Sequence, residues 1–146
     1  MAARKVQQPA RAARLTPSDY RLLAEFRHHL RVFIAFSETA ARDAGLAPQQ
    51  HQALLAIKGF PGGRAPTIGE LAERLQIRHH SAVGLVDRLV DSRLVVRCLD
   101  SKDRRRVTLG LTRQGEDMLA ELSVVHRDEL RRMAPMLRTV LAELAE

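Results

Sequence analysis

Apolar side chains recur along this chain with two different periods. From residue 16, Leu23, Phe26, Leu30, Phe33, Ile34 and Ala41 follow one another at helical spacings, which places them on one stripe of a long helix. Thr16-Pro17-Ser18-Asp19 supplies its start: Thr16 can cap, Pro17 fits the first helical position and Asp19 can reach back. Gly45 ends it. At 1.5 Å per residue such a helix spans about 40 Å. That outruns a small globule, so part of the stripe is expected to meet another chain. Pro48 opens a second helix through Lys58, with Leu54, Leu55 and Ile57 inward and Gly59 as the stop. Phe60 to Arg64 is a loop by composition, and Ala65 to Thr67 reads as a short strand.

Thr67-Ile68-Gly69-Glu70 is a capping-box sequence. Ile68, Leu71, Ala72 and Leu75 then form one face of a short helix. A turn at Gln76-Ile77-Arg78 leads to a further helix, His79 to Asp91, with Ala82, Val86, Leu89 and Val90 inward. Two short helices joined by so brief a turn form a helix-turn-helix. The period then shortens. Leu94 to Leu99 and Arg106 to Leu111 read as strands, joined by the charged turn Asp100 to Arg105. A hairpin directly after a helix-turn-helix is a wing. Thr112 caps a helix to about Met133, Pro135 is expected to break it, and Met136 to Leu144 forms a terminal amphipathic helix. The fold class is mainly α with a small β-hairpin wing: a winged helix-turn-helix over 47–111, flanked by dimerisation helices over 15–46 and 112–146. Residues 1–14 read as a mobile basic arm.

Composition narrows the function. Of 146 residues, 45% are hydrophobic, enough for one compact domain with a core. A run near 18 apolar residues is absent, so a membrane partner is not expected. The first 14 residues lack the apolar stretch of a secretory signal, and the single cysteine, Cys98, allows no internal disulfide. Both point to the cytoplasm. Cys98, in a strand, reads as a small buried hydrophobe. The net charge of +7 favours an anionic partner, nucleic acid first. Arginine supplies nearly all of it, and its planar fork suits phosphate and guanine edges. Charge alone does not decide, because arginine also tracks genomic base composition.

Position along the motif sharpens the reading. The second helix of the pair carries Arg78, His79, His80 and Ser81 at its N-terminal end, where recognition helices contact bases and where free amides favour phosphate. Gly84, one turn on, lets the helix approach a groove, and Arg88 shares that face. At the hairpin tip Lys102, Arg104, Arg105 and Arg106 cluster around Asp103. An arginine there can enter a minor groove, with Asp103 bracing Arg105 as a bidentate pair.

The segments IGELAERL, SAVGLVDRLVDSRLVVR and DSKDRRRVTLGLT, followed by Arg113, Gln114 and Gly115, resemble the multiple antibiotic resistance regulator (MarR) family of winged helix-turn-helix transcription regulators. The pair Asp103 and Arg105 and the start Leu111-Thr112 are the most specific marks, and the resemblance covers about residues 16 to 146. It implies a homodimer on double-stranded DNA, at a palindromic operator. His80, Ser81 and Gly84 would then face bases, Arg105 would enter the minor groove, and Arg78, Arg88 and Arg104 would sit near phosphates. Two positions depart from the family pattern. Arg93 stands where glycine is usual after the reader, and Gly84 stands where a longer polar residue is common.

The resemblance also implies a repressor released by a small aromatic or phenolic acid. Arg27, Phe33, Phe36, Ser37, His51 and Phe60 are candidate ligand contacts by position. Phe33 and Phe36 read more readily as plain core than as ligand contacts, and His51, beside apolar positions, also fits a capped core histidine. The pairs His28-His29 and His79-His80 are adjacent rather than one helical turn apart, so no metal or cofactor is expected. Neither a nucleophile-base constellation nor a phosphate-cradling glycine loop is evident, so an enzyme is not expected. The alternative is a winged-helix module for protein contact or non-specific nucleic-acid binding.

Overall fold

The computed structural model describes residues 14–146. The basic arm expected over 1–14 therefore lies, but for Arg14, outside the described residues. The elements run in the order α1 (Pro17–Asp43), α2 (Pro48–Lys58), a 3-10 turn (Pro61–Gly63), α3 (Ile68–Leu75), α4 (His79–Asp91), β1 (Val95–Leu99), β2 (Val107–Leu111) and α5 (Arg113–Leu144). They fall into two compact units. One is Glu38–Val125; the other joins the chain up to Ser37 with His126–Glu146.

Local chemistry fixes the ends of these helices. At α1, the Asp19 amide donates to Thr16 Oγ1 at 3.2 Å while the Thr16 amide donates to Asp19 Oδ2 at 2.7 Å, the reciprocal box the sequence predicts. These bonds also hold the Asp19 carboxyl below its usual range. At α3 the same box is closed by Thr67 and Glu70. Three helices end alike. Gly45, Gln76 and Arg93 adopt positive φ of 85°, 54° and 59°, and the residue after each donates back across the turn: Leu46 to Ala41, Ile77 to Ala72, Leu94 to Leu89. This is the Schellman closure, made once with glycine and twice without.

The Glu38–Val125 unit has a continuous core. Leu54, Leu71, Leu85, Val86, Leu89, Val95 and Leu109 are almost wholly buried, and Leu46, Ile57, Leu94, Leu119 and Leu122 complete the cluster. Leu55 departs from expectation: it is 46% exposed, while Ala53 and His51 turn inward beside Leu54 and Ile57. Alternation around this short helix is weak, so periodicity alone chose the wrong leucine. On α4, Leu85 joins the predicted inward face and Val90 is only half-buried.

The wing is a two-stranded antiparallel ribbon paired from Val95↔Leu111 to Leu99↔Val107. Ala65 to Thr67 is not a strand. It contributes one bond, from the Leu109 amide to the Pro66 carbonyl at 2.8 Å, too little for a third ladder. Beyond Val95, β1 is solvent-exposed, Cys98 included. A ribbon that leaves the body has no second layer to bury that thiol, which corrects the expectation from strand position.

Pro135 does not break α5, which is continuous to Leu144. Proline forfeits one backbone donor, and the good helix formers on either side keep the remaining ladder. Among the described residues no helix is long and apolar enough to cross a membrane.

Candidate nucleic-acid interface

The α3–turn–α4 corner presents one polar edge of the Glu38–Val125 unit. Arg78 is the N-cap of α4 in extended conformation (φ −70°, ψ 150°), without a side-chain cap. The first amides of α4 therefore face outward without a side-chain acceptor from that residue, the arrangement that attracts an anion. His79, His80 and Ser81 are exposed around this terminus. Opposite them Ala82, Leu85, Val86 and Leu89 pin the helix into the core, so the outward face is fixed by the inward one.

Gly84 lies on the polar face. A Cβ built there would meet only Arg88 Nη1, at 3.5 Å. Helical side chains lean toward the N-terminus, and Arg88 accordingly lays its guanidinium along the space that Gly84 leaves open. The next residue on that face, Asp87, is ion-paired with Arg97 of β1, which removes an exposed negative charge from the reader.

The hairpin turn is built on two aspartates. Asp100 Oδ1 accepts from the Lys102 amide at 2.8 Å and Asp103 Oδ1 from the Arg105 amide at 3.0 Å, each a side chain organising the backbone two residues on. The expected bidentate pairing of Asp103 with Arg105 is not found. Asp103 offers the side chain a single long contact, 3.4 Å to Nε. Arg105 stays 94% exposed; the aspartate shapes the turn rather than clamping the guanidinium.

Cations of this unit thus sort into two groups. Lys58 is tied to Glu116, Arg64 and Arg106 to Glu70, and Arg97 to Asp87. Among the described residues Arg78, Arg88, Lys102 and Arg104 have no carboxylate partner and Arg105 has only the long one; Arg74, Arg93 and Arg113, away from the reader and the wing tip, are also without one. An open groove lies between the α3 start, α4 and the wing, lined by Thr67, Gly69, His79, Asp103, Arg105 and Arg106. Arg106, predicted as one more wing contact, is the exception to the free set: its Nη2 lies 2.6 Å from Glu70 Oε1.

Glu70 was legible in the sequence only as a cap. In the structure its carboxylate accepts from Arg64, Arg106 and both the amide and the hydroxyl of Thr67. The Arg64 guanidinium, followed by the Thr67 donors, lowers its pKa from 4.5 to about 2.

The six candidate ligand contacts divide between the units. Phe33, Phe36 and Ser37 gather around His126, which sequence reasoning missed because it lies 89 residues away. His126 Nε2 and Ser37 Oγ are 2.8 Å apart, and the imidazole meets both rings edge-on at centroid distances of 6.0 and 5.4 Å. Arg27 is exposed on α1. In the other unit His51 is buried in α2, and Phe60 carries the Arg64 guanidinium 5.0 Å above its ring. Among the described residues no group of three metal-ligating side chains comes together.

The sequence pattern of the MarR family matches residues 44–106, the span from the end of α1 through the wing turn. Over that span the chain carries the MarR family pattern. Solved MarR-type structures agree in fold. MepR, a transcription regulator of the Staphylococcus aureus multidrug efflux pump MepA, is 18% identical with a TM-score of 0.69, over 90% of this chain and 95% of MepR. A MepR variant bound to an oligodeoxyribonucleotide gives 0.63 at 20% identity, over 90% and 99%. AbsC, a MarR family transcriptional regulator from Streptomyces coelicolor, gives 0.67 at 19%, over 83% and 81%. No curated protein matches in sequence. The winged helix read from the sequence has the fold of these structures, and Arg93 holds a positive φ of 59° after the reader helix.

Proposed function

We propose that this MarR-family DNA-binding regulator acts as a homodimeric repressor on a palindromic operator. Each protomer sets the start of α4 in a major groove and its wing tip in the neighbouring minor groove. The observation that carries this is the cluster of cations at the reader and the wing tip, Arg78, Arg88, Lys102, Arg104 and Arg105, none of them held by a close carboxylate pair. Arg105, 94% exposed on a turn shaped by Asp103, supplies the minor-groove contact. His79, His80, Ser81 and the open face at Gly84 meet bases; Arg78, Arg88, Lys102 and Arg104 meet phosphates. Two-fold pairing is supported by the apolar side chains that α1 and α5 leave in solvent, among them Leu23, Ile34, Met136 and Leu141. An isolated protomer rarely exposes so many on its surface.

The same reading includes release by a small aromatic or phenolic acid, with Phe33, Phe36 and Ser37 as the apolar and polar wall and Arg27 as the charge. The ring cluster around His126 supports it. Titrating salicylate-like acids into an operator-bound sample is expected to release the DNA; no release by any of them removes the effector from the account.

The decisive experiment selects genomic fragments on the protein, then measures Arg105→Ala on the recovered operator. A sequence reader prefers its operator to random duplex by roughly 10³-fold or more. Arg105→Ala is expected to cost about 1–3 kcal/mol of binding and to flatten the salt slope by about one. A wild-type protein indifferent to sequence is a non-specific winged-helix module instead. Unchanged affinity in the variant removes the wing from the mechanism.

A further inference from the structure

We infer that Glu70 is a positioning residue of the DNA interface, whose carboxylate fixes the wing against the start of the α3–α4 pair so that Arg105 reaches its groove. The inference rests on the operator reading above and goes beyond it, because Glu70 itself faces no DNA in that reading. One carboxylate is shared by three separate pieces of chain. Oε1 accepts from the Thr67 amide at 3.1 Å and hydroxyl at 3.2 Å, which caps α3. Arg64, from the loop before α3, grips the group with both terminal nitrogens, Nη1 at 2.9 Å from Oε1 and Nη2 on Oε2. Arg106, at the base of β2, places Nη2 2.6 Å from Oε1. Only the Arg106 bond crosses to the wing.

That bond falls at a useful place in the hairpin. Arg106 is adjacent to Arg105, and its own amide donates to the Asp103 carbonyl at 2.9 Å while its carbonyl accepts from the Asp100 amide at 2.9 Å. The residue that Glu70 holds is therefore the one that closes the turn carrying Arg105. A two-stranded ribbon is marginal on its own. Beyond Val95 this one has little apolar surface to lean on. An ion pair to the cap of α3, with the carboxylate only 24% exposed, is a stiffer support than the ribbon's own strands. Sites held loosely lose function before they lose stability.

Glu70→Gln separates this role from capping. Glutamine can complete a capping box, but it cannot pair with two guanidinium groups. We expect the melting temperature to fall only slightly and operator affinity to drop roughly tenfold, the size of a lost wing contact. Affinity for random duplex should rise, because the change frees two arginines and adds one positive charge. The decisive readout is a cycle with Arg105→Ala. If Glu70 acts through the wing, Glu70→Gln in the Arg105→Ala background changes operator affinity less than twofold, and Arg106→Gln reproduces the single-variant loss. Full additivity in the cycle, or a Glu70→Gln protein with wild-type affinity and specificity, overturns the inference while leaving the effect of Arg105→Ala alone intact. If Arg105→Ala is itself silent, the operator reading fails instead. Should Glu70→Gln prove too unstable to assay, Arg106→Gln leaves the cap untouched and decides the same question by the same cycle.

Discussion

Between Glu38 and Val125 the buried positions are filled by leucine, isoleucine, valine and alanine, with Pro66 and Gly115 beside them and His51 the polar exception. In the helical unit, the most buried side chains are His29, Ser37, Glu129, Met133 and Val140. Its larger apolar groups, Tyr20, Leu23, Val32, Ile34, Leu130, Met136 and Leu141, are each more than 40% exposed. Glu129 is satisfied by Arg132, His29 approaches Glu25 at 3.7 Å, and Ser37 bonds to His126. The winged unit builds a continuous apolar core within one chain, although Leu55, Val96, Leu99, Val107, Val124 and Val125 remain exposed on it. The helical unit buries His29, Ser37 and Glu129 beside Met133 and Val140 and leaves Leu23, Leu130 and Leu141 exposed, the pattern expected of a surface that another copy completes. On the proposed homodimer, stability in the first is a property of the protomer and in the second a property of the assembly.

The largest expected effect tests this contrast directly. Leu71 is fully buried, and Leu71→Ala should cost about 3 kcal/mol through lost transfer energy and the cavity left behind. The loss should be equal at every protein concentration. Leu141 is 51% exposed in the protomer, where a surface change is ordinarily worth within about 0.5 kcal/mol. Leu141→Asp should nevertheless raise the dimer dissociation constant and make the melting temperature fall with dilution. Sedimentation equilibrium and melting curves over a hundredfold concentration range measure both. A Leu141→Asp protein that sediments like wild type would end the contrast.

The same contrast explains what could be read in the sequence. The helix starts at Thr16 and Thr67, the bounds of α2 and α4, and the hairpin were legible because each rests on contacts within a few residues. Arg93 was legible as a departure from the family pattern. What failed depends on distant packing. Leu55 and Ala53 exchange roles because neighbours from elsewhere in the chain decide which face of α2 is covered. Cys98 is exposed because no layer comes to rest on the ribbon, a fact its β-branched neighbours do not carry. Pro135 was read by propensity, and the helix around it outweighed one missing donor. In the interface, the exposed set from Arg78 to Ser81 and at Lys102 to Arg105 follows from position in a helix or turn. Arg106 does not, since its partner Glu70 is 36 residues away and was already occupied as a cap.

Gly115 offers a second, smaller test. It enters the sequence only as part of the family pattern, yet the structure gives it a cause. A Cβ there would lie 2.2 Å from the Leu94 carbonyl oxygen. That oxygen accepts the Thr112 amide at 3.0 Å, and Thr112 Oγ1 in turn accepts the Gly115 amide at 3.0 Å. The carbonyl cannot retreat without loosening the start of α5. Gly115→Ala should therefore cost about 2 kcal/mol by overpacking, despite the roughly 1 kcal/mol that alanine gains in helix propensity. A urea midpoint at or above the wild-type value would show that this corner yields more easily than a close-packed unit should.

Arg93→Gly is expected to have the smallest effect and the opposite sign. Arg93 holds φ at 59°, where a residue with a Cβ loses about 1–2 kcal/mol. The conformation is imposed from both sides: Arg93 and Leu94 donate to Val90 and Leu89 at 3.0 Å, and Thr112 Oγ1 donates to the Arg93 carbonyl at 2.6 Å. Glycine would relieve the strain without altering those bonds, at the expense of about 0.5–1 kcal/mol in the greater freedom of its unfolded chain. The net should be a gain of about 0.5 kcal/mol, read as a higher urea midpoint at unchanged slope. The gain would show that even the filled unit keeps one strained corner, located where α4 hands over to the wing. A loss of stability would mean that the arginine side chain contributes more at this corner than its backbone strain takes away.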